Sequence, residues 1–124
     1  MVENKLMLIY GFNEQEMETI NSFAKENHIP FIKTIKNSMS KRKISEILCE
    51  NELEGNYCNL PLEKVILFSN FNEDDLENAI QSIRQNLKPM PIMAVVTETS
   101  INWTFEKLLA HLIEEREWVR SHNR

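Results

Sequence analysis

The sequence predicts an α/β fold: two copies of a β-α-β-α unit forming one four-stranded sheet with helices packed on it. Three observations carry this. Short continuous apolar runs alternate with segments whose apolar residues recur at helical spacing, the pattern of strands alternating with helices. The segment Lys5-Leu6-Met7-Leu8-Ile9-Tyr10-Gly11-Phe12-Asn13-Glu14-Gln15-Glu16-Met17-Glu18 returns as Lys64-Val65-Ile66-Leu67-Phe68-Ser69-Asn70-Phe71-Asn72-Glu73-Asp74-Asp75-Leu76-Glu77. Six of these fourteen aligned positions are identical, where unrelated segments would share about one.

Leu6 to Tyr10 is apolar at every position. A run without alternation suits a strand covered on both faces, as in parallel sheets flanked by helices. Asn13 then stands at a helix N-cap, Glu16 completes a capping box, and Phe12 with Met17 has the spacing of a hydrophobic staple. Met17, Ile20, Phe23 and Ala24 give this helix its apolar face, which fades near Asn27-His28. Ile29 to Ile35 reads as the second strand, with Pro30 at its start, where a missing N–H is tolerated. Asn37 to Ser40 is loop. Ile44, Ile47 and Leu48 mark a second helix running to Asn51 or Leu53. Gly55, Asn56 and Pro61 then stop it and form a connector over 54–62.

The second copy repeats these signals. Val65 to Phe68 is a strand, Phe71 and Leu76 a staple, Asn72 and Asp75 a box. Leu76, Ala79, Ile80, Ile83 and Leu87 form a helix face. Met90 to Thr97 is the fourth strand and Thr99 to Asn102 a loop. Phe105, Leu108, Leu109, Leu112 and Ile113 belong to a last helix, with Trp103, Thr104 and Leu108 as its staple and cap, and the tail from Ser121 frays. An offset of 59 relates the first strand and helix to the third strand and helix. After an insertion it becomes 61, matching Pro30 to Pro91, Ile44 to Phe105, Ile47 to Leu108 and Leu48 to Leu109. The 124 residues are expected to form one domain of two repeats, about 4–53 and 63–120. The sheet is expected to be mostly parallel, in the order 2-1-3-4, with both Phe-Asn strands central. The alternative is a ferredoxin-like pseudo-twofold sheet in which two parallel pairs meet antiparallel.

The second half carries a resemblance. Val65-Ile66-Leu67-Phe68-Ser69, Phe71, Leu76, Ala94-Val95-Val96-Thr97, Asn102-Trp103-Thr104 and Leu108-Leu109 together resemble an uncharacterised bacterial family, the domain of unknown function 3783. The resemblance implies a small α/β unit and no particular activity. The first half has Lys41-Arg42-Lys43 where this half has Asn-Trp-Thr.

Composition narrows the function classes. A net charge of −5, from 14 basic and 19 acidic residues, argues against a general nucleic-acid binder. Cys49 and Cys58 make no disulfide framework, and His28, His111 and His122 lack metal-ligand spacing, so no metal or cofactor is expected. The first residues lack a signal core, no run is long enough to span a membrane, and the expected location is cytoplasmic with reduced thiols.

In an open parallel sheet, ligands sit beyond the carboxyl ends of the strands. That edge is expected to carry Tyr10, Gly11, Ser69, Asn70, Lys36, Asn37, Thr97, Glu98 and Thr99. Nucleotide phosphates are not expected there. The chain has two glycines, and Glu14-Gln15-Glu16 and Glu73-Asp74-Asp75 already fill the positive ends of their helices with carboxylates. Two further stretches are candidates. Asn102-Trp103-Thr104 reads either as a pocket for a ligand or partner or as a stapled helix entry. Lys36, Lys41, Arg42 and Lys43 belong to an acid-free basic run, readable as an anion site or as a solvated helix start. Trp118 and Val119 are a candidate partner contact. No nucleophile–base spacing is visible. The expected function is therefore a non-catalytic binding or regulatory module, with a homodimer or protein partner. The alternatives are a small enzyme built around Glu98, Asn102 and Trp103, and anion or nucleic-acid binding through Lys33–Lys43.

Overall fold

The computed structural model describes residues 5–49 and 60–122. The expected extension of the second helix to Asn51 or Leu53, the Gly55-Asn56 helix stop, most of the connector and Cys58 lie outside the described residues.

Strand β1 (Leu6–Tyr10) leads into helix α1 (Glu14–Glu26) and strand β2 (Phe31–Thr34); a short 3-10 turn at Asn37–Met39 and helix α2 (Ile44–Cys49) complete the first repeat. The second contains β3 (Val65–Ser69), α3 (Glu73–Asn86), β4 (Ile92–Val95), a turn at Ser100–Asn102 and α4 (Phe105–His122). The β1/β3 and α1/α3 starts keep the offset of 59, and β2/β4 and α2/α4 keep 61. Both edge strands are shorter than their apolar runs suggested.

These elements divide into two compact units that cut across the repeats. One comprises Met1–Ile35 and Leu62–Val96, the β-α-β part of each copy; the other comprises Lys36–Pro61 and Thr97–Arg124, the second helix of each copy.

In the first unit the strands lie in the order β2-β1-β3-β4. β1 pairs parallel with β2, and β3 parallel with β4, but β1 and β3 are antiparallel. The expectation of a mostly parallel sheet is therefore corrected at its centre, where the pseudo-twofold alternative holds. Each β-α-β unit keeps its two strands adjacent, unlike a split ferredoxin-like unit. The physical reason is symmetry. Leu8 and Leu67, equivalent in the two repeats, are directly opposite each other. A twofold axis between them reverses the direction of one strand. The continuous apolar runs reported central position, not direction: β1 and β3 are buried along their whole length, as a central strand of either sense would be.

The α1 and α3 side of the sheet holds a core of Met7, Ile9, Ile66 and Phe68 from the strands, with Ile20, Phe23, Ala79 and Ile83 from the helices. Phe12, Met17, Phe71 and Leu76 are half-buried against this core, so both predicted staples frame the same cluster. Asn27 ties the two helices together, donating to the Phe23 carbonyl at 2.8 Å and to Ser82 Oγ at 3.0 Å.

In the second unit the repeat symmetry appears in the backbone. The Ile44 N–H donates to the Trp103 carbonyl at 2.9 Å, and its equivalent, the Phe105 N–H, donates to the Arg42 carbonyl at 3.0 Å. These bonds make an antiparallel bridge between Lys43 and Thr104. Ile44, Ile47, Leu48, Phe105, Leu108 and Leu109 are buried, as their spacing predicts.

Candidate functional site

Antiparallel centre strands give the sheet two carboxyl edges, which divides the site expected from a parallel sheet. Tyr10 ends β1 opposite Val65, whereas Ser69 ends β3 opposite Leu6. Tyr10 and Ser69 are thus at opposite ends of the sheet, and both are buried.

An open cleft of about 570 Å³ lies at the β3 end, lined by Lys5, His28, Pro30, Asn70, Phe71, Asn72 and Asp75. The topology explains this grouping. Lys5 precedes β1, His28 and Pro30 precede β2, and Asn70 to Asn72 carry the chain from β3 into α3. Asn72 caps α3 by accepting from the Asp75 N–H at 2.8 Å. Its side-chain amide also donates to the Asp75 carboxylate at 3.0 Å. Asp75 is one methylene shorter than Glu16. In α1 the full box forms: Asn13 accepts from the Glu16 N–H at 2.8 Å and its own N–H donates to Glu16 Oε1 at 3.0 Å. Lys5 reaches Asp75 at 3.2 Å, with both side chains partly screened from solvent. Phe71 meets Phe68 edge-to-face, ring centres 5.2 Å apart. Two non-glycine residues of the lining are left-handed, His28 at φ 56° and Asn70 at φ 64°.

Of these residues, only Asn70 is among the site candidates that the sequence offers. The missed signal was the pair of equivalent positions themselves: a lysine before each Phe-Asn strand, and an acid at the third residue of each following helix. Under a twofold relation, each lysine belongs beside the other repeat's acid.

The second unit brings two predicted stretches together. The Lys43–Thr104 bridge places Lys41-Arg42-Lys43 beside Asn102-Trp103-Thr104. Thr104 caps α4, accepting from the Lys107 N–H at 3.2 Å. Trp103 is half-buried. Lys107 Nζ stands 4.6 Å from its ring centre, and His111 meets it edge-to-face at 5.2 Å. Asn102 turns back to the Glu98 carbonyl at 3.4 Å. Thr97 and Ser100 exchange backbone-to-side-chain bonds at 2.9 and 3.0 Å, which holds the turn. These contacts give the Asn-Trp-Thr stretch a helix-entry role. Acids meet part of the basic run: Lys41 lies 3.1 Å from Glu106 and Arg42 lies 3.6 Å from Glu46, while the Lys43 backbone N–H donates to Glu46 at 2.9 Å. Cations at the start of α2 oppose its dipole, and the carboxylates of Glu46 and Glu106 offset them. Lys36 is exposed, its carbonyl accepting from the Met39 N–H at 2.8 Å. Trp118 and Val119 are both exposed on α4.

Residues 64–119 match a domain of unknown function, DUF3783. The DUF3783 match starts at Lys64, covers just under half of the chain, and takes in β3, α3, β4 and most of α4. The α3 side of the cleft and the Asn-Trp-Thr turn fall within it, while Lys5, His28 and Pro30 lie outside. No curated protein and no solved structure matches the chain. Among the described residues, no helix is long and apolar enough to cross a membrane.

Proposed function

We propose that the chain is a non-catalytic binding module that holds a small polar ligand in the cleft at the carboxyl end of β3. The observation that carries this reading is the pair of left-handed residues, His28 and Asn70, on one cleft. For most residues with a Cβ that conformation costs about 1–2 kcal/mol, less for Asn, and such strain concentrates where a site needs it.

The lining also selects a ligand class. Lys5 and Asp75 contribute one charge of each sign and already face each other. The side-chain amide of Asn70 carries both donors and an acceptor. Phe71 adds an apolar wall. An uncharged or zwitterionic molecule suits this balance. An anion does not, because Glu73, Asp74 and Asp75 fill the first turn of α3. The lining residues include no hydroxyl or thiol to act as a nucleophile, and Lys5, Asp75 and Asn72 are committed to holding the helix start. This favours binding over catalysis.

An NMR titration of the isotope-labelled protein with free amino acids and with nucleosides tests the reading. Shifts are expected at the amides of His28 and of Asn70 through Asn72. No shift there at millimolar ligand, or shifts confined to α4, counts against it.

A further inference from the structure

We propose that β4 is a self-association strand: two copies join β4 to β4, antiparallel about Ala94, to make one continuous eight-stranded sheet.

The backbone specifies what the edge can accept. β4 is a terminal strand of the sheet. The Ile92 N–H donates to the Lys64 carbonyl and the Val96 N–H to the Phe68 carbonyl, both at 2.8 Å. With a period of two, Ile92, Ala94 and Val96 face β3, while Met93 and Val95 turn their N–H and C=O groups outward. No strand pairs with that edge among the described residues.

Two outward residues flanking one inward residue are self-complementary under a twofold axis. An axis at Ala94 sets Met93 of one copy opposite Val95 of the other, and the reverse, closing four backbone hydrogen bonds. Ala94 then meets its counterpart at the non-hydrogen-bonded position, where Cα atoms approach to about 4.5 Å. A methyl side chain fits there. Val95 lies beside Phe68 and is 45% exposed in the single chain. Pairing would cover it with Met93 of the other copy.

The first repeat supplies the contrast that selects this edge. β2 is the other terminal strand and occupies the equivalent position. Lys33 pairs with Leu8 as Ala94 pairs with Leu67, so a lysine stands where β4 has its alanine. The same axis at Lys33 would set two ammonium groups face to face. Edge lysines are a common guard against strand addition. From Ile92 to Val96 the other edge carries no charge.

Sedimentation of the full chain from micromolar to millimolar concentration tests the proposal. A reversible monomer–dimer equilibrium is expected. Ala94→Lys copies the residue with which the first repeat folds, and should weaken the dimer on the order of tenfold or more. Lys33→Ala should not weaken the dimer. A chain that stays monomeric throughout, or an Ala94→Lys dimer as tight as the original, overturns it. If circular dichroism shows that Ala94→Lys misfolds, amide exchange on the unmodified protein decides. Exchange at Met93 and Val95 should slow as concentration rises, with Ala94 slow throughout. Concentration-independent exchange at Met93 and Val95 overturns the proposal.

Discussion

Lys64, the residue before β3, places its ammonium on the carboxylate of Glu16, the third residue of α1. The equivalent residues Lys5 and Asp75 make the same pair in the opposite direction. Each repeat thus supplies the cation for the other's helix start, an exchange that follows from antiparallel β1 and β3. Burial pushes the Glu16 carboxyl up, but the Asn13 backbone N–H and the Lys64 ammonium outweigh it, leaving the group below its ordinary value of 4.5. A depressed carboxyl contributes stability that is complete above the unfolded value and is lost as pH falls through the lower folded value. Urea midpoints should therefore fall as pH drops below about 4.5, and Glu16→Gln should flatten that decline. At neutral pH, Glu16→Gln is expected to cost about 1 kcal/mol, since the pair is partly exposed. An unchanged pH profile in Glu16→Gln would contradict the pairing.

Gly11 and Asn70 are equivalent and both left-handed, at φ 89° and 64°, but only one tolerates a side chain. A Cβ on Gly11 would stand 2.0 Å from the Glu63 carbonyl oxygen. Gly11→Ala should destabilise by more than the roughly 1–2 kcal/mol of the left-handed conformation alone. Asn70→Gly should be neutral or stabilising by up to about 1 kcal/mol, and should weaken any ligand held by the Asn70 amide. Chemical denaturation of both variants checks the contrast; equal losses would refute it.

Phe68 is 1% exposed, whereas Phe71, three residues on, is half-buried at the cleft. Phe68→Ala is expected to cost about 3–5 kcal/mol, as for other buried aromatics, and Phe71→Ala about half as much. A reversed order in denaturant midpoints would mean that Phe71, not Phe68, is the principal anchor.

Ser40 is fully buried, and its hydroxyl has no hydrogen-bond partner among the described residues. Ser40→Ala should raise stability by about 1 kcal/mol, because an orphaned polar group is removed. Thr104→Ala should lower it by a similar amount through loss of the α4 cap. A rise in thermal midpoint for the first and a fall for the second are the expected readings.

How much of this was legible in the sequence varies from element to element. Asn13, Glu16 and Phe12 announced the start of α1 because capping and stapling act within five residues. Asn72 announced α3 in the same way, and only the reach of Asp75 changed the box. The strand order was legible because equivalent apolar strands had to share the centre. The cleft was not, apart from Asn70: its other walls come from the starts of β1, β2 and α3, which antiparallel pairing alone brings to one end. Trp103 was legible as a helix entry, but Lys107 and His111 are not placed beside it by the sequence reading, because they follow it by four and eight residues, in the first two turns of α4.

The sequence by itself determined which segments are strands and helices, where α1 and α3 begin, and that a β-α-β-α unit occurs twice. Those features rest on local hydrogen bonds and on the period of apolar residues, both of which are written along the chain. Only the tertiary structure decided the direction of β3 against β1, the exchange of lysines between helix starts, and the division of one expected edge into two. A wholly apolar central strand is satisfied by a neighbour of either sense. The choice was made by contacts between residues far apart in the chain, such as Leu8 with Leu67 and Glu16 with Lys64.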